Sequence, residues 1–429
     1  MKYNTAKKQN AKIAFITDEF LVIGIDVGST THYARAFNNR KIEYSRKPLK
    51  FANSKEGFEA FKDWAVNLAK ENGKTHILAG MEPTGHYWFN LASFIQNNGM
   101  VLAQVNPASV KKSKELDDND PSKNDRKDPK VIAGLLNDGR YCLPYLPEGD
   151  YAELRELVRM REQTEEELIR IKNRVARWFA IYFPEYLDVY ADVYAKSGVM
   201  ILKEYPLPAD IVKLGAEGIN EIWRNNKLRG SGRSRAEKLY DAAAKSIGRK
   251  AASKAARKQI QSLLKELEYY EEKKNELMKD ISDLVNQIPN TDKLLDIKGV
   301  GIVSVATFLA EVGEINRFDS PKEIQKLSGM SIVANSSGKH QGEYSISYRG
   351  RKHLRYAMCT LAVSLVGRNP EFKAIHQYYT TRSDNPLKKM QSIVAVACKA
   401  IRVFYAILTK GTIYDGQKML DDIVRPQEA

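Results

Sequence analysis

The sequence predicts an α/β domain, then long paired helices, then a mostly helical carboxy-terminal domain, and three observations carry this reading. An apolar run of strand length, LVIGIDV at 21–27, opens an alternation of short strands and amphipathic helices. Two heptad patterns follow, beginning at Leu154 and Ile260. After Pro289 the chain changes to Gly-punctuated apolar segments. At 429 residues the chain is too long for one ordinary domain, and these changes of pattern divide it at 1–148, 149–290 and 291–429.

In the first part, 21–27 fits a buried strand, and Thr31–Phe37 and Lys41–Ser45 follow as shorter strand candidates between Gly, Asn and Arg turns. The segment 55–71 places Phe58, Phe61, Trp64 and Leu68 at helical spacing. His76–Met81 reads as a strand, 87–96 as a helix and 100–105 as another strand. A further helix begins near Asp125 and carries Val131, Ile132, Leu135 and Leu136. Three strands, helix, strand, helix, strand, helix is an order that suits a mixed sheet of the ribonuclease-H type.

The first heptad seam runs through Leu154, Leu157, Arg161, Thr164, Leu168, Ile171, Val175 and Trp178. The second runs through Ile260, Leu263, Leu267, Tyr270, Lys274, Leu277, Ile281, Leu284 and Ile288. Alternating steps of three and four keep each set on one seam, so each helix requires a partner, within the chain or across protomers. Pro289 stops the second helix, and Gly299-Val300-Gly301 reads as a tight turn between helices whose amides could meet a phosphate.

The charge is uneven. The chain carries 68 Lys and Arg against 53 Asp and Glu, a net charge of +15. Between Arg224 and Lys258 there are twelve basic residues and two acidic ones. Such a block is the electrostatic footprint of a phosphate backbone, with Arg233, Arg235, Arg249 and Lys250 as representative contacts; a solvated surface segment is the alternative. It has few large apolar residues to insert into a membrane. Apolar residues at 43% and only 15 prolines describe a chain able to bury a core. Three scattered cysteines exclude a disulfide framework or zinc module. Without a signal-like or membrane-spanning window, the expectation is a soluble, cytoplasmic protein.

Four carboxylates stand out. Asp26 closes the first strand, Glu82 the fourth, and Asp125 and Asp128 lie three apart near a helix start, on one helical face. In a sheet of this type the first and fourth strands are neighbours, so the four acids could converge. Converging carboxylates repel unless a hard cation such as Mg²⁺ neutralises them, and two such ions can assist phosphodiester chemistry. For Asp125 and Asp128, preference for a helix amino terminus remains an alternative. The turn GIDVGSTT also matches the phosphate loop of sugar kinases and actin-like ATPases, but the second Asp-Gly loop and the Gly-Gly adenosine loop of that chemistry are missing.

Residues 331–355, SIVANSSGKHQGEYSISYRGRKHLR, are dense in Ser, Gly and base. A serine among glycine and cations, here Lys339, Arg349, Arg351, Lys352 and Arg355, can reach a phosphodiester whose charge the cations offset. The same spacing also fits a polar loop before a basic helix.

Together, GIDVGSTTHYARAF, GMEPTGHYW and NPASVKKSKELDDNDPSKNDRKDPKVIAGLL, followed by the block from IKGVGIVSVATF to RGRKHLRYAM, resemble the DEDD transposases of bacterial insertion sequences, the insertion-sequence one-ten group. The resemblance covers nearly the whole chain. It implies a RuvC-like domain whose metal-binding acids map onto Asp26, Glu82, Asp125 and Asp128, and a transposase domain with an essential serine in a Ser-Gly motif. Ser337 directly precedes Gly338 and takes that role, with Ser336 the register alternative. The family's Ile-Ser-Lys-x-Gly becomes Ile346-Ser347-Tyr348-Arg349-Gly350, and its Asp-Ala becomes Asp128-Pro129. The resemblance further implies Mg²⁺, a phosphoserine DNA intermediate, donor and target DNA, a guide or bridge RNA, and a homo-oligomer, dimer or tetramer, completing the site between protomers. The heptads would then hold protomers together. A RuvC-like nuclease using water is the alternative chemistry.

Overall fold

The computed structural model describes residues 2–83, 85–117, 127–337 and 340–424. The chain divides into two compact units, Met1–Leu146 and Pro147–Ala429.

The first unit runs α1 (Lys2–Phe15), β1 (Phe20–Val27), β2 (Thr31–Phe37), β3 (Leu49–Ala52), α2 (Lys55–Glu71), β4 (His76–Met81), α3 (Trp88–Asn97), β5 (Val101–Val105), α4 (Pro107–Asp117), α5 (Asp128–Asn137) and β6 (Tyr141–Cys142). Its six strands form one mixed sheet in the order β3-β2-β1-β4-β5-β6. β1, β2 and β3 pair antiparallel, β1, β4 and β5 parallel, and β6 closes the edge antiparallel to β5. The central strand is buried on both faces, which is why LVIGI lacks polar alternation. Odd-numbered residues of β1, Leu21 to Val27, pack with Phe58 and Phe61 of α2 and Leu91 and Ile95 of α3. Even-numbered Phe20 and Val22 pack with Val131, Ile132 and Leu136 of α5.

The third strand is not Lys41–Ser45 but Leu49–Ala52. Asn38 Oδ1 accepts from the Arg40 and Ile42 amides, both at 2.9 Å, and Lys41 takes a left-handed φ of 65°. This local turn leaves 41–45 only a single bridge, Phe37 to Glu43.

The second unit starts with α6 (Gly149–Tyr182) and short helices α7 (Tyr186–Val189) and α8 (Lys196–Glu204). It continues through α9 (Pro208–Asn225) and α10 (Arg233–Ala244) to α11 (Ser253–Gln287). The heptad seams face each other within one chain: α6 and α11 run antiparallel, with the Trp178 indole donating to the Ala256 carbonyl at 2.9 Å at one end. Leu154 and Val158 meet Ile281 and Val285 at the other. Salt bridges Lys172–Glu271 at 3.7 Å and Arg174–Glu266 at 3.8 Å flank the seam. The seam is therefore filled inside the chain, which corrects the expectation that it joins protomers.

The unit continues through α12 (Thr291–Leu295), α13 (Ile302–Val312), α14 (Pro321–Leu327), β7 (Ile332–Ser337), β8 (His340–Ile346), α15 (Lys352–Arg368), α16 (Pro370–Thr381), α17 (Lys389–Lys410) and α18 (Gly416–Val424). Gly299, at φ 98°, and Gly301, which begins α13, make the anticipated tight turn. By length and composition α17 is the one described helix able to cross a membrane, yet Val396, Ala397, Ala400, Ile401 and Phe404 are buried at the centre of this core.

Candidate active site and nucleic-acid interface

Strand register decides where the first two acids go. β1 and β4 are parallel with Gly24 opposite Gly80 and Ile25 opposite Met81. Asp26 and Glu82 are the next residues, side by side where the two strands end. Side chains alternate along a strand, so Gly24, Asp26, Gly80 and Glu82 all belong to the even-numbered face that α5 covers.

The two glycines let α5 lie close. A Cβ at Gly24 would stand 1.9 Å from the Pro129 carbonyl oxygen, and one at Gly80 2.5 Å from Leu136 Cδ1. The helix that lies on this glycine floor begins with Asp128, so a third acid shares the face and the strand-end edge. Pro129 supports that start, because proline fits the first helical turn.

Asp128 forms an ion pair with Lys114 of α4. Glu82 is raised above the ordinary carboxyl range by burial, with Lys114 opposing the shift and the Asp128 charge adding to it. Glu82, Asp128 and Lys114 thus share one electrostatic neighbourhood. Among the described residues no group of three or more His, Cys, Asp or Glu side chains is close enough to hold a metal. Asp125 lies outside the described residues, as does its contribution to such a group. The acids present still suit a hard divalent cation: the Asp128 charge makes ionisation of Glu82 more costly, and an ammonium already counters Asp128. Sequence reasoning missed Lys114. Its only signal was a basic residue in KKSKELDD, within a helix that the strand-and-helix alternation did not anticipate.

The serine region forms a β-hairpin. Ser337 closes β7, paired across the turn with His340, and Ser336 pairs with Gln341 after an irregularity in register at 334–336. Lys339 lies outside the described residues. The hairpin's flank is open: Ile332 is 70% and Tyr344 71% exposed. Among the cations, Arg349 and Lys352 face solvent. Arg351, the residue just before α15, donates to the Glu311 carbonyl oxygen, with the Glu311 carboxylate 3.4 Å away. Arg355 donates to the Ser328 carbonyl oxygen at 2.8 Å and lies over the Tyr348 ring at 5.3 Å. Arg351 and Arg355 therefore brace the hairpin's base while leaving it positively charged.

In the basic stretch Arg233 pairs with Glu217 at 3.4 Å and Glu237 at 3.1 Å, and Arg235 lies 5.7 Å from the Tyr190 ring centre. Arg249 and Lys250 are exposed in the turn before α11.

Two family models match the chain. Residues 23–184 match a DEDD transposase model of the IS110 type, described as a transposase, and residues 291–377 match one described as transposase IS116/IS110/IS902 family. Together they span more than half of the chain. The chain belongs to the IS110 family of DEDD transposases. An insertion element IS110 protein of 43.6 kDa from Streptomyces coelicolor is 24% identical over 93% of this chain and 96% of its own length. An insertion element IS116 protein of 44.8 kDa from Streptomyces clavuligerus is 22% identical over 90% and 94%. The transposase is accordingly an enzyme acting on DNA. Asp26, Glu82, Asp125 and Asp128 fall inside the first matched segment and Ser337 inside the second. The basic stretch from Arg224 to Lys258 falls between them.

Proposed function

We propose that this transposase cuts and rejoins DNA through a serine-linked intermediate, with Ser337 as nucleophile and Asp26, Glu82, Asp125 and Asp128 as the acids of a RuvC-like metal site. The observation that carries the reading is the register match of Asp26 with Glu82 beneath the amino terminus of α5. The sheet order supports the ribonuclease-H relationship. Antiparallel β1-β2-β3 joined to parallel β1-β4-β5 puts these strand ends next to each other.

In this reading the Ser337 oxygen bonds to phosphorus as the bond from phosphorus to the departing sugar oxygen breaks. The seryl proton leaves to a base and the departing oxygen gains one. Magnesium bound by the acids would supply charge neutralisation to the phosphate and its departing oxygen. The chain's own part is positional. α5 and the glycine floor hold Asp26, Glu82 and Asp128 at one edge, and Lys114 neutralises Asp128, which would be a ligand of the metal. Arg349 and Lys352, at the hairpin's base, offset phosphate charge. A net charge of +15 suits a protein that holds DNA together with a structured guide RNA. A homo-oligomer would let the acids of one protomer serve the serine of another.

The test is metal-dependent strand exchange by the full chain with its copurified RNA and DNA carrying the element's ends. Exchange that needs Mg²⁺ and is lost in Asp26→Ala supports the reading. Exchange persisting in that variant removes the acids from the chemistry.

A further inference from the structure

A cleft of about 290 Å³ opens where the end of α6, the turn before α11 and the first turns of α11 meet, lined by Arg174, Arg177, Trp178, Tyr182, Arg249 and Gln259. It lies at the lower end of small-molecule pockets, roughly 300–1,000 Å³, and differs from them in being cationic rather than apolar. Three arginines from two separate segments converge on it. Arg174 has a long ion pair with Glu266 at 3.8 Å. Arg177 and Arg249 have no carboxylate partner among the described residues. Like charges gathered without counter-charge raise one another's energy, and a bound anion relieves it.

The cleft is built on fixed backbone. Glu185 accepts from the Ser246 hydroxyl at 2.5 Å and the Ile247 amide at 2.8 Å, which pins the turn. Burial alone would raise the Glu185 carboxyl, but these donors outweigh it and hold the group below its ordinary range, so it stays ionised. The Arg249 amide donates to the Ile181 carbonyl oxygen at 2.8 Å. Gly248 sits so tightly that a Cβ there would lie 2.0 Å from the Tyr182 carbonyl oxygen. On the opposite wall the Trp178 indole ties α6 to Ala256, with the Tyr182 ring 5.5 Å from it. The Arg249 backbone is therefore held against α6, on the cleft that Arg174 and Arg177 line.

We infer that this cleft seats a backbone phosphate of the nucleic acid the transposase handles, with Arg177 and Arg249 as its principal contacts. The inference rests on the nucleic-acid function proposed above. Guanidinium forks match phosphate oxygens in pairs, and the pinned turn lowers the ordering cost of binding. DNA and the guide RNA offer the same chemical group, and binding data separate them.

The experiment uses the full chain, a short labelled single-stranded RNA and a short labelled DNA duplex, with affinity measured by fluorescence anisotropy over a salt series. In Arg177→Gln/Arg249→Gln the slope of log affinity against log salt should become shallower by about 0.7 for RNA or about 0.9 for duplex for each phosphate left without its cation. Arg177→Lys/Arg249→Lys should restore most of the slope. A change confined to RNA assigns the phosphate to the RNA, and one confined to the duplex assigns it to DNA. Unchanged slopes for both probes, with an unchanged melting temperature, overturn the cleft while leaving the function intact. Should the double variant fail to fold, the single Arg249→Gln, on an exposed turn, carries the same comparison. A wild-type chain that binds neither probe overturns the functional reading itself.

Discussion

The two regions that carry the proposed chemistry are built in opposite ways. Asp26, Glu82 and Asp128 stand at the strand-end edge of a six-stranded sheet with helices on both faces, where register and two glycines leave little freedom. The serine closes one strand of a two-stranded hairpin whose outer residues face water. An isolated two-stranded hairpin is marginal by itself, so the second region depends on its base, where Arg351 and Arg355 hold backbone carbonyls. The contrast teaches that one of these regions is coupled to folding and the other is not. Substitutions at the acid edge should disturb stability and chemistry together, whereas those on the hairpin should disturb chemistry alone.

The sharpest separation is Ser337→Ala. Strand exchange should fall by about 10³-fold or more, as when an essential nucleophile is removed, with nucleic-acid affinity and melting temperature unchanged. A comparable loss of stability would break the comparison. Gly24→Val tests the other side. A side chain directed at the Pro129 carbonyl must push α5 away, at a cost of about 1–3 kcal/mol. Denaturant unfolding should show that loss, and exchange should fall with it because Asp128 moves too. Stability lost with full activity would detach α5 from the site.

A smaller effect concerns His32 of β2, buried at 0% exposure beside Phe51 and Phe58 at ring separations of 5.1 and 6.0 Å. Burial lowers its pKa, with an Asn53 contact opposing. The unfolded chain therefore takes up the proton first. His32 costs no stability above its unfolded pKa of about 6.5, and stability declines as pH falls through that value toward the folded pKa, by at most about 1.4 kcal/mol per unit. His32→Asn should flatten this limb of the acid-unfolding curve relative to wild type, and parallel curves would contradict it. Least of all, Tyr344→Ser on the open hairpin should change stability by no more than about 0.5 kcal/mol. A larger shift in the melt would show that the hairpin packs more firmly than its exposure implies.

The same contrast governs what was legible in the sequence. β1, β4 and β5 could be placed as short apolar runs buried on both faces and α2 by its helical spacing, and Asp26 stood out as an acid closing an apolar strand. Leu49–Ala52 was missed because, at four residues, the edge strand is too short for its alternation to stand out, while 41–45 looked like a strand until Asn38 folded it into a turn. Pairing of the heptads within the chain was open because a seam specifies a partner's surface, not whose it is. Lys114 and the Arg177–Arg249 cleft join residues 14 and 72 positions apart, and no local pattern reports such meetings. Ser337 came from motif alone, since nothing physical distinguishes one serine among several in a polar segment.

What separates the proposed chemistry from its rival is that a seryl oxygen, and not water, attacks the phosphodiester beside the acids. The direct measurement is to stop a reaction of the full transposase, its RNA and end-labelled element DNA in denaturant, then look for DNA that migrates with protein. A serine nucleophile predicts a metal-dependent adduct that maps by peptide mass spectrometry to Ser337 and is absent in Ser337→Ala. Cleaved DNA with free phosphate ends and no attached peptide would contradict it and leave a water-using nuclease in its place.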